Sequence, residues 1–229
     1  QVECARCKNL YPAHLYSGTD VLCVYCNADE QNSLPVAKEQ PKPELTPEEF
    51  SAKDKAREEL AMRFLTRKRL LPFVERFNAD YTAGWVHKDV CKRLEDFSRK
   101  VVAKESPRLM LFLPPRHGKS TLASIAFPAW HLGRNPEHEF ISCSYSGSLA
   151  MGFSRKVRGL LREPTYKTSF QTRLDPESQS AEAWLTTGGG GFVAAGVGGG
   201  ITGKGAHILV IDDPVKNRDD AESSNARES

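Results

Sequence analysis

The sequence predicts an α/β fold, a mostly parallel sheet flanked by helices, preceded by a small cysteine-rich domain. From Thr46 onward, short apolar runs typical of buried strands alternate with longer stretches of helical periodicity. Four of the six cysteines lie within residues 1–27, where helical periodicity is almost absent. Residues 28–45 are polar and contain three prolines, which indicates an exposed linker. We therefore predict three parts, at 1–27, 28–45 and 46–229.

The composition is typical of an ordinary globular protein. Of the 229 residues, 39% are hydrophobic and 27% are charged, and the formal net charge is +3. No apolar run approaches the roughly 20 residues of a membrane span, and the N-terminus lacks the basic and apolar regions of a secretory signal. We therefore expect an intracellular protein that is not bound to a membrane. Because residue 1 is Gln and the chain stops within a predicted helix, we also expect it to be a fragment of a longer protein.

The first helix of the α/β domain is predicted from its capping residues. Thr46 suits the N-cap, Pro47 suits the first helical position, and Glu49 completes a capping box. This helix is expected to run to about Leu70 and to end before the proline that follows. Its basic cluster at 63–69 is interpreted either as a solvated helix face or as a nucleic-acid contact.

The rest of the domain alternates between helices and strands. In chain order we predict a helix at 87–104, a strand at 109–113, a helix from about 121 to 132, a strand at 140–145, a helix at 148–162, a β-hairpin at 184–195 and a strand at 208–211. This alternation is typical of a parallel sheet. Cys91 falls on an apolar helix and Cys143 in a buried strand, so both are expected to be core thiols.

The turn after the first predicted strand has the composition of a phosphate-binding P-loop. Residues 114–121, PPRHGKST, lie between a predicted strand and a predicted helix. Gly118 lets backbone N–H groups approach phosphate oxygens, Lys119 is expected to contact the β and γ phosphates of ATP, and Ser120 to bind Mg²⁺. The predicted ATP-binding residues are Pro115, Arg116, His117, Gly118, Lys119, Ser120 and Thr121. The alternative is a glycine-containing turn with an exposed lysine, because Leu113 stands where the general pattern has its first glycine.

A second motif supplies carboxylates for the same site. The buried strand predicted at 208–211 is followed by Asp212 and Asp213, in the form of a Walker B motif. We expect Asp212 to bind the Mg²⁺ and Asp213 to orient or deprotonate the attacking water. Most sites of this geometry have Glu at the second position, so Glu222 is kept as an alternative base. Together the two motifs predict nucleotide hydrolysis.

With both motifs present, the chain resembles the ATPase domain of bacteriophage terminase large subunits. The resemblance covers about residues 70–229. It is carried by LMLFLPPRHGKST at 109–121, SYSGSLAMGFSRKVR at 144–158 and GVGGGITGKGAHILVIDDPVK at 196–216, and Gly84-Trp85-Val86-His87 also resembles the segment that precedes the loop in this family. A loop without its first glycine is typical of this group.

The resemblance implies a P-loop NTPase fold of the ASCE type and ATP hydrolysis coupled to the packaging of double-stranded DNA into procapsids. It implies a homo-oligomeric ring at the capsid portal, a terminase small subunit as a further partner, and a location in the host cytoplasm. Family members also carry a metal-dependent endonuclease domain and a coupling motif after Walker B, neither of which lies in these 229 residues. We therefore expect this chain to bind ATP but not to cut DNA.

Several cations near the motifs have more than one interpretation. Family members commonly have Arg-Gly shortly before Walker B, as a candidate arginine finger acting on a neighbour's ATP. Here Lys204 precedes the glycine, and lysine lacks the bidentate fork of arginine. Arg116 and Arg155 are alternative fingers, or else surface and helix-end cations. Trp85 and His87 are candidates for adenine contact, or else packed residues.

The N-terminal cysteines predict a zinc ribbon. Cys4 and Cys7 form one C-x2-C pair, and Cys23 and Cys26 form a second. Each pair lets two thiolates reach one tetrahedral Zn²⁺, and a segment this small needs a metal to supply its folding energy. The alternative is two disulfides, which an intracellular location disfavours. The partner of the ribbon is left open between DNA, the small subunit and the portal.

Two other functions are consistent with these motifs. A helicase or remodelling ATPase would share the same core, and a second RecA-like domain in downstream sequence would distinguish it. A zinc-ribbon nucleic-acid-binding module with a degenerate P-loop would show no affinity for Mg–ATP.

Overall fold

The computed structural model describes residues 2–3, 10–11, 47–201, 203–216 and 222. The chain divides into two compact units, Gln1–Phe50 and Ser51–Ser229. In the first unit, β1 (Val2–Glu3) pairs antiparallel with β2 (Leu10–Tyr11). The four cysteines of the predicted zinc ribbon lie outside the described residues, so the ribbon stays a prediction.

Three helices precede the predicted P-loop: α1 (Pro47–Lys68), α2 (Leu70–Phe77) and α3 (Trp85–Val102). The helix predicted at 87–104 is confirmed as α3. The first predicted helix ends at Lys68, before Pro72 as expected, and α2 then begins after the extended residue Arg69 and holds the proline in its first turn. The carboxylate of Glu95 on α3 stabilises this start, since it accepts hydrogen bonds from the Leu70 N–H at 2.6 Å and the Arg69 side chain at 2.8 Å.

Five strands form one mixed sheet. They are β3 (Glu139–Ser144), β4 (Leu174–Gln179), β5 (Ala183–Thr186), β6 (Gly191–Gly196) and β7 (Ile208–Ile211), in the order β4-β5-β6-β3-β7. β3 pairs parallel with β6 and β7, whereas β5 pairs antiparallel with β4 and β6. The α/β class is confirmed, but the mostly parallel sheet is wrong for half of the pairings, because the short loops on either side of β5 join antiparallel neighbours. The predicted hairpin is confirmed as β5 and β6.

The strand predicted at 109–113 is not part of this sheet. Residues 105–114 have no regular secondary structure. The three leucines of the segment pack against the core, whereas Met110 and Phe112 are exposed, Phe112 by 89%. A cleft of about 600 Å³ is lined by this segment and by β7, and no described strand pairs with β7 on that side. An apolar run of this length therefore marked a half-buried segment rather than a paired strand.

Helices follow the loop and β3. Residues 119–134 are helical throughout, with Thr121–Ala126 in π-helical turns and Phe127–Arg134 as α4. α5 (Gly147–Arg162) and α6 (Pro164–Ser169) follow β3. The predicted helices at about 121–132 and 148–162 are thus confirmed.

The main hydrophobic core joins α2 to α6 with one face of the sheet. On that face Phe140, Phe192 and Trp184 stack across neighbouring strands, with ring centroids 5.6 and 5.4 Å apart. Alternate residues point to the opposite face, where Cys143 belongs to a smaller buried cluster. Cys91 and Cys143 are free and buried, as predicted. This packing fixes the carboxyl ends of β3 and β7 close to the helix that starts at the loop.

Candidate functional site

The predicted P-loop turns sharply before its helix. Arg116 and Gly118 have left-handed backbone conformations, with φ of 63° and 76°, and the helix begins at Lys119. A Cβ at position 118 would meet side-chain atoms only at ordinary contact distances, the nearest being the Tyr81 hydroxyl at 3.6 Å. Gly118 is therefore required by its backbone conformation rather than by lack of space. The first N–H groups of the helix have no partner within it, so this end suits an anion.

Tyr81 and His87 support the loop. The Nδ1 atom of His87 accepts a hydrogen bond from the Gly84 N–H at 3.0 Å, so the neutral ring carries its proton on Nε2. Nε2 then donates to the His117 carbonyl at 3.3 Å, and the Tyr81 ring packs against the imidazole with centroids 5.5 Å apart. Burial raises the pKa of Tyr81 to about 12, so its hydroxyl stays protonated. His87 thus contacts the loop backbone, whereas Trp85 is 81% exposed.

The predicted aspartate pair, which follows β7, lies next to the amino end of the helix that begins at Lys119. Lys119 Nζ is 3.2 Å from Asp212 Oδ1 and 2.5 Å from Asp213 Oδ1. The lysine and Asp213 are 94 residues apart in the chain. The structure therefore brings together the loop and the end of β7, as the two motifs require.

Two serines that sequence analysis did not assign hold Asp212 in place. Ser124 Oγ donates to Asp212 Oδ2 at 2.8 Å, and Ser144 Oγ donates to the Asp212 carbonyl at 2.8 Å. The Asp212 N–H donates in turn to the Cys143 carbonyl at 2.9 Å. Ser124 lies in the π-helical turns at 121–126, which no pattern in the sequence indicates. Ser144 ends the strand beside β7, which the predicted parallel pairing places near Asp212.

Comparison with known families decides which class of protein carries this site. The family model described as terminase large subunit, T4-like virus type, N-terminal, matches residues 110–229. The chain belongs to this family. The match contains Lys119 and both aspartates, and it begins later than the predicted resemblance, which starts at about residue 70. Among curated proteins, none matches the chain.

Membership of the terminase family gives the chain a role in viral DNA packaging, with DNA and phage packaging components as partners. The predicted resemblance is thereby confirmed. None of the helices in the described part of the chain is long and apolar enough to cross a membrane.

The charges of the terminase site favour a cation bound together with phosphate. Burial acts to lower the pKa of Lys119, but its hydrogen bonds to Asp213 and Asp212 and their negative charges outweigh burial, and the pKa is raised. One ammonium between two carboxylates leaves a net negative charge. Within the described residues, no group of three or more His, Cys, Asp or Glu side chains is arranged to hold a metal. Carboxylate and hydroxyl oxygens, with phosphates supplying further ligands, are nevertheless what Mg²⁺ takes at nucleotide sites.

The remaining predicted participants differ in how far they are exposed. Ser120 is half-buried, and Thr121, Arg116, Arg155 and Glu222 are exposed. Lys204 is also exposed, in the connection that precedes β7. Nearby, the His207 N–H donates to the carbonyl of Glu139, the first residue of β3. Because β3 and β7 run parallel, Lys204 lies toward the amino ends of these strands, whereas Asp213 follows the carboxyl end of β7.

Proposed function

We propose that this chain is the ATP-hydrolysing motor domain of a terminase large subunit that packages double-stranded DNA into procapsids. One observation carries the proposal. Lys119 Nζ lies within 3.2 Å of carboxylate oxygens of both Asp212 and Asp213, at the start of a helix that follows a left-handed turn. A lysine and two acids at the positive end of a helix are the groups that bind a magnesium-complexed triphosphate.

Binding of ATP is assigned to the loop and the first helical turn. The backbone N–H groups at 115–121 would surround the phosphates, and Lys119 would exchange the two carboxylates for the β and γ phosphates. Ser120 and Asp212 would hold Mg²⁺, which neutralises charge on the phosphates when bound. Ser124 keeps the Asp212 carboxylate oriented by its hydrogen bond.

Positioning of the attacking water is assigned to Asp213. Its side chain is 55% exposed, whereas that of Asp212 is only 5% exposed, so water has far more access to the Asp213 carboxylate. Asp213 accepts a hydrogen bond from Lys119, and the move of Lys119 to the phosphates would free this carboxylate to act on water. Glu222 is the alternative base.

A cation from a neighbouring subunit would complete the site. Lys204 lies toward the amino ends of β3 and β7, whereas Asp213 of the same subunit lies at the carboxyl end of β7. Within a ring, Lys204 could therefore contact only the ATP of another subunit. Arg116 and Arg155 are the alternative fingers. A finger supplied in trans stabilises charge on the phosphates in the transition state.

The wider assembly is proposed from the family. It comprises a homo-oligomeric ring at the capsid portal, the terminase small subunit and a location in the host cytoplasm with transient presence at the procapsid. The full-length protein would also be a metal-dependent endonuclease. A structural Zn²⁺ is proposed on Cys4, Cys7, Cys23 and Cys26.

The Lys119→Ala variant tests the proposed function. We expect loss of Mg–ATP binding and a decrease in turnover of more than about 100-fold, because the variant removes the charge that faces the phosphates. Lys53→Ala, which removes an exposed lysine of α1, is the matched control and should retain both activities. Binding is measured with a fluorescent ATP analogue and turnover by phosphate release. Near-normal values for Lys119→Ala would contradict the proposal, and absence of Mg–ATP affinity in the wild type would favour the degenerate P-loop alternative.

A further inference from the structure

Helix α5 carries four cations and no acidic residue. Arg155, Lys156, Arg158 and Arg162 lie within its last eight positions. On α1 and α3, by contrast, arginines pair with acids three or four positions away, as in Arg63–Glu59 and Arg93–Asp89. Within the described part of the chain, no cation of α5 forms an ion pair with a carboxylate. The positive charge of this helix is therefore left uncompensated.

The cations of α5 lie on the solvent-facing side of a helix whose other side is anchored in the core. The opposite side of the helix is buried, through residues such as Phe153 and Val157, so the exposed side chains of Arg155, Lys156 and Arg162 face solvent. The guanidinium groups of Arg158 and Arg162 donate to the carbonyl and side-chain oxygens of Gln179, both of which are neutral acceptors. Burial, followed by the like charges of Arg162 and Arg155, lowers the pKa of Arg158. The cations thus lie close enough to repel one another.

Two glycines lie among these cations without a reason in the packing. A Cβ added at Gly152 or Gly159 would meet nothing within 4 Å beyond the backbone of its own helix. Glycine within a helix is less favourable than alanine, so neither helix formation nor the core accounts for these two positions. Because glycine has no side chain, the outer face of the helix is recessed between the charged side chains, and a partner's backbone can approach it closely.

Helix α5 is also joined to the nucleotide site. Ser146 caps its start by accepting a hydrogen bond from the Leu149 N–H at 3.3 Å. The residue before it, Tyr145, donates its N–H to the Asp213 carbonyl at 3.0 Å. A displacement of Asp213 would therefore act directly on the chain that begins α5.

We propose that the outer face of α5, formed by Arg155, Lys156 and Arg162 with Gly152 and Gly159, binds the phosphodiester backbone of double-stranded DNA. The partner is chosen by charge complementarity, since a cationic face without acids suits a dense polyanion. From Arg155 to Arg162 the face extends about 10 Å along the helix axis, the length of about three phosphates on one strand. The proposal rests on the proposed function for its choice of DNA as the polymer that the motor moves.

The test is DNA binding by the full 229-residue chain and by Lys156→Ala/Arg162→Ala. A fluorescent duplex of arbitrary sequence is titrated by anisotropy at a series of salt concentrations. We expect affinity to fall about tenfold at low salt, and the slope of log K against log salt to become shallower by about 1.8, because two phosphate contacts are lost. Lys88→Ala/Lys92→Ala removes the same charge from exposed positions on α3 and should leave the slope unchanged. Equal losses in both double variants, or no binding by the wild type, would overturn the proposal.

Two further measurements identify the partner and separate this proposal from the nucleotide site. If polyglutamate binds the wild type as tightly as DNA and loses affinity in Lys156→Ala/Arg162→Ala, the face binds acidic protein and the DNA proposal is wrong. ATP-analogue binding is measured on the same preparations. Loss of DNA affinity with normal nucleotide binding supports the α5 face, and it does so even if Lys119→Ala shows the proposed ATP site to be wrong. Normal DNA binding by the variant overturns the α5 proposal alone.

Discussion

The Ser124→Ala substitution removes the hydroxyl that donates to Asp212 Oδ2 at 2.8 Å. Ser124 is fully buried and Asp212 is 4% exposed, so solvent does not readily replace the lost donor. A hydrogen bond to a charged group contributes about 1.5–3 kcal/mol. We therefore expect the free energy of unfolding to fall by about 2 kcal/mol, which corresponds to a decrease in Tm of about 4–8 °C for a chain of this size.

Ser142→Ala provides a matched control for this change. Ser142 is also fully buried, but its Oγ atom has no hydrogen-bond partner among the described residues. Removing an unpaired buried hydroxyl should leave stability unchanged or raise it. Both variants are compared with the wild type by urea unfolding at pH 7. Equal losses of stability would refute the argument, since they would show that the contact with Asp212 contributes nothing.

The same pair of variants also reports on the proposed magnesium site. Without Ser124 Oγ, the Asp212 carboxylate loses the bond that orients it, so affinity for Mg–ATP should fall in Ser124→Ala and remain in Ser142→Ala. The nucleotide titration is made well below the unfolding temperature of both variants. An unchanged affinity in Ser124→Ala would mean that Lys119 and the backbone bonds of Asp212 suffice to position it.

Two further predictions concern backbone strain and acid stability. Gly118→Ala should lower the free energy of unfolding by about 1–2 kcal/mol, because an L side chain is strained in the left-handed region. Gly159→Ala, at an open helical position, should raise it by about 0.5–1 kcal/mol. Both values are measured by urea unfolding, and changes of the same sign in the two variants would contradict the prediction. Burial and nearby positive charges lower the pKa of His131 from 6.5 to about 3, so the unfolded chain binds this proton more readily. Stability should be complete above about pH 6.5 and fall by up to about 1.4 kcal/mol per pH unit as the pH decreases toward 3. His131→Gln should make the free energy of unfolding depend less on pH. Both proteins are compared by urea unfolding at pH 7, 6 and 5. The same change of stability with pH in variant and wild type would show that another group controls it.

Features that depend on neighbouring residues in the chain were predictable from the sequence. The stretch 114–121 defines the turn by its own composition, and the helix after it follows from its periodicity. The strands at 140–145 and 208–211 were predicted from short apolar runs, and the carboxyl ends of parallel strands share an edge. These local patterns sufficed to place Lys119 close to Asp212 and Asp213.

Features that depend on distant contacts were not predictable in the same way. The break at Arg69 depends on Glu95, which caps α2 from a different helix. The role of Ser124 depends on the π-helical turns at 121–126 and on the arrival of β7, neither of which has a pattern in the sequence. The segment 109–113 has the apolar composition of a strand, but pairing requires a neighbouring strand, and a single run of residues carries no information about its neighbours.

The different exposure of the two aspartates determines which of them can respond to nucleotide. Asp212 is buried and bonded to Ser124, so moving its carboxylate would leave buried groups unpaired, at a high cost in free energy. Asp213 is 55% exposed, and its bond to Lys119 can be exchanged for water with little loss. If phosphate draws Lys119 away, Asp213 is therefore the carboxylate that is released. Its carbonyl is bonded to the Tyr145 N–H at the start of α5, so the movable half of the pair is also the half joined to the proposed DNA face.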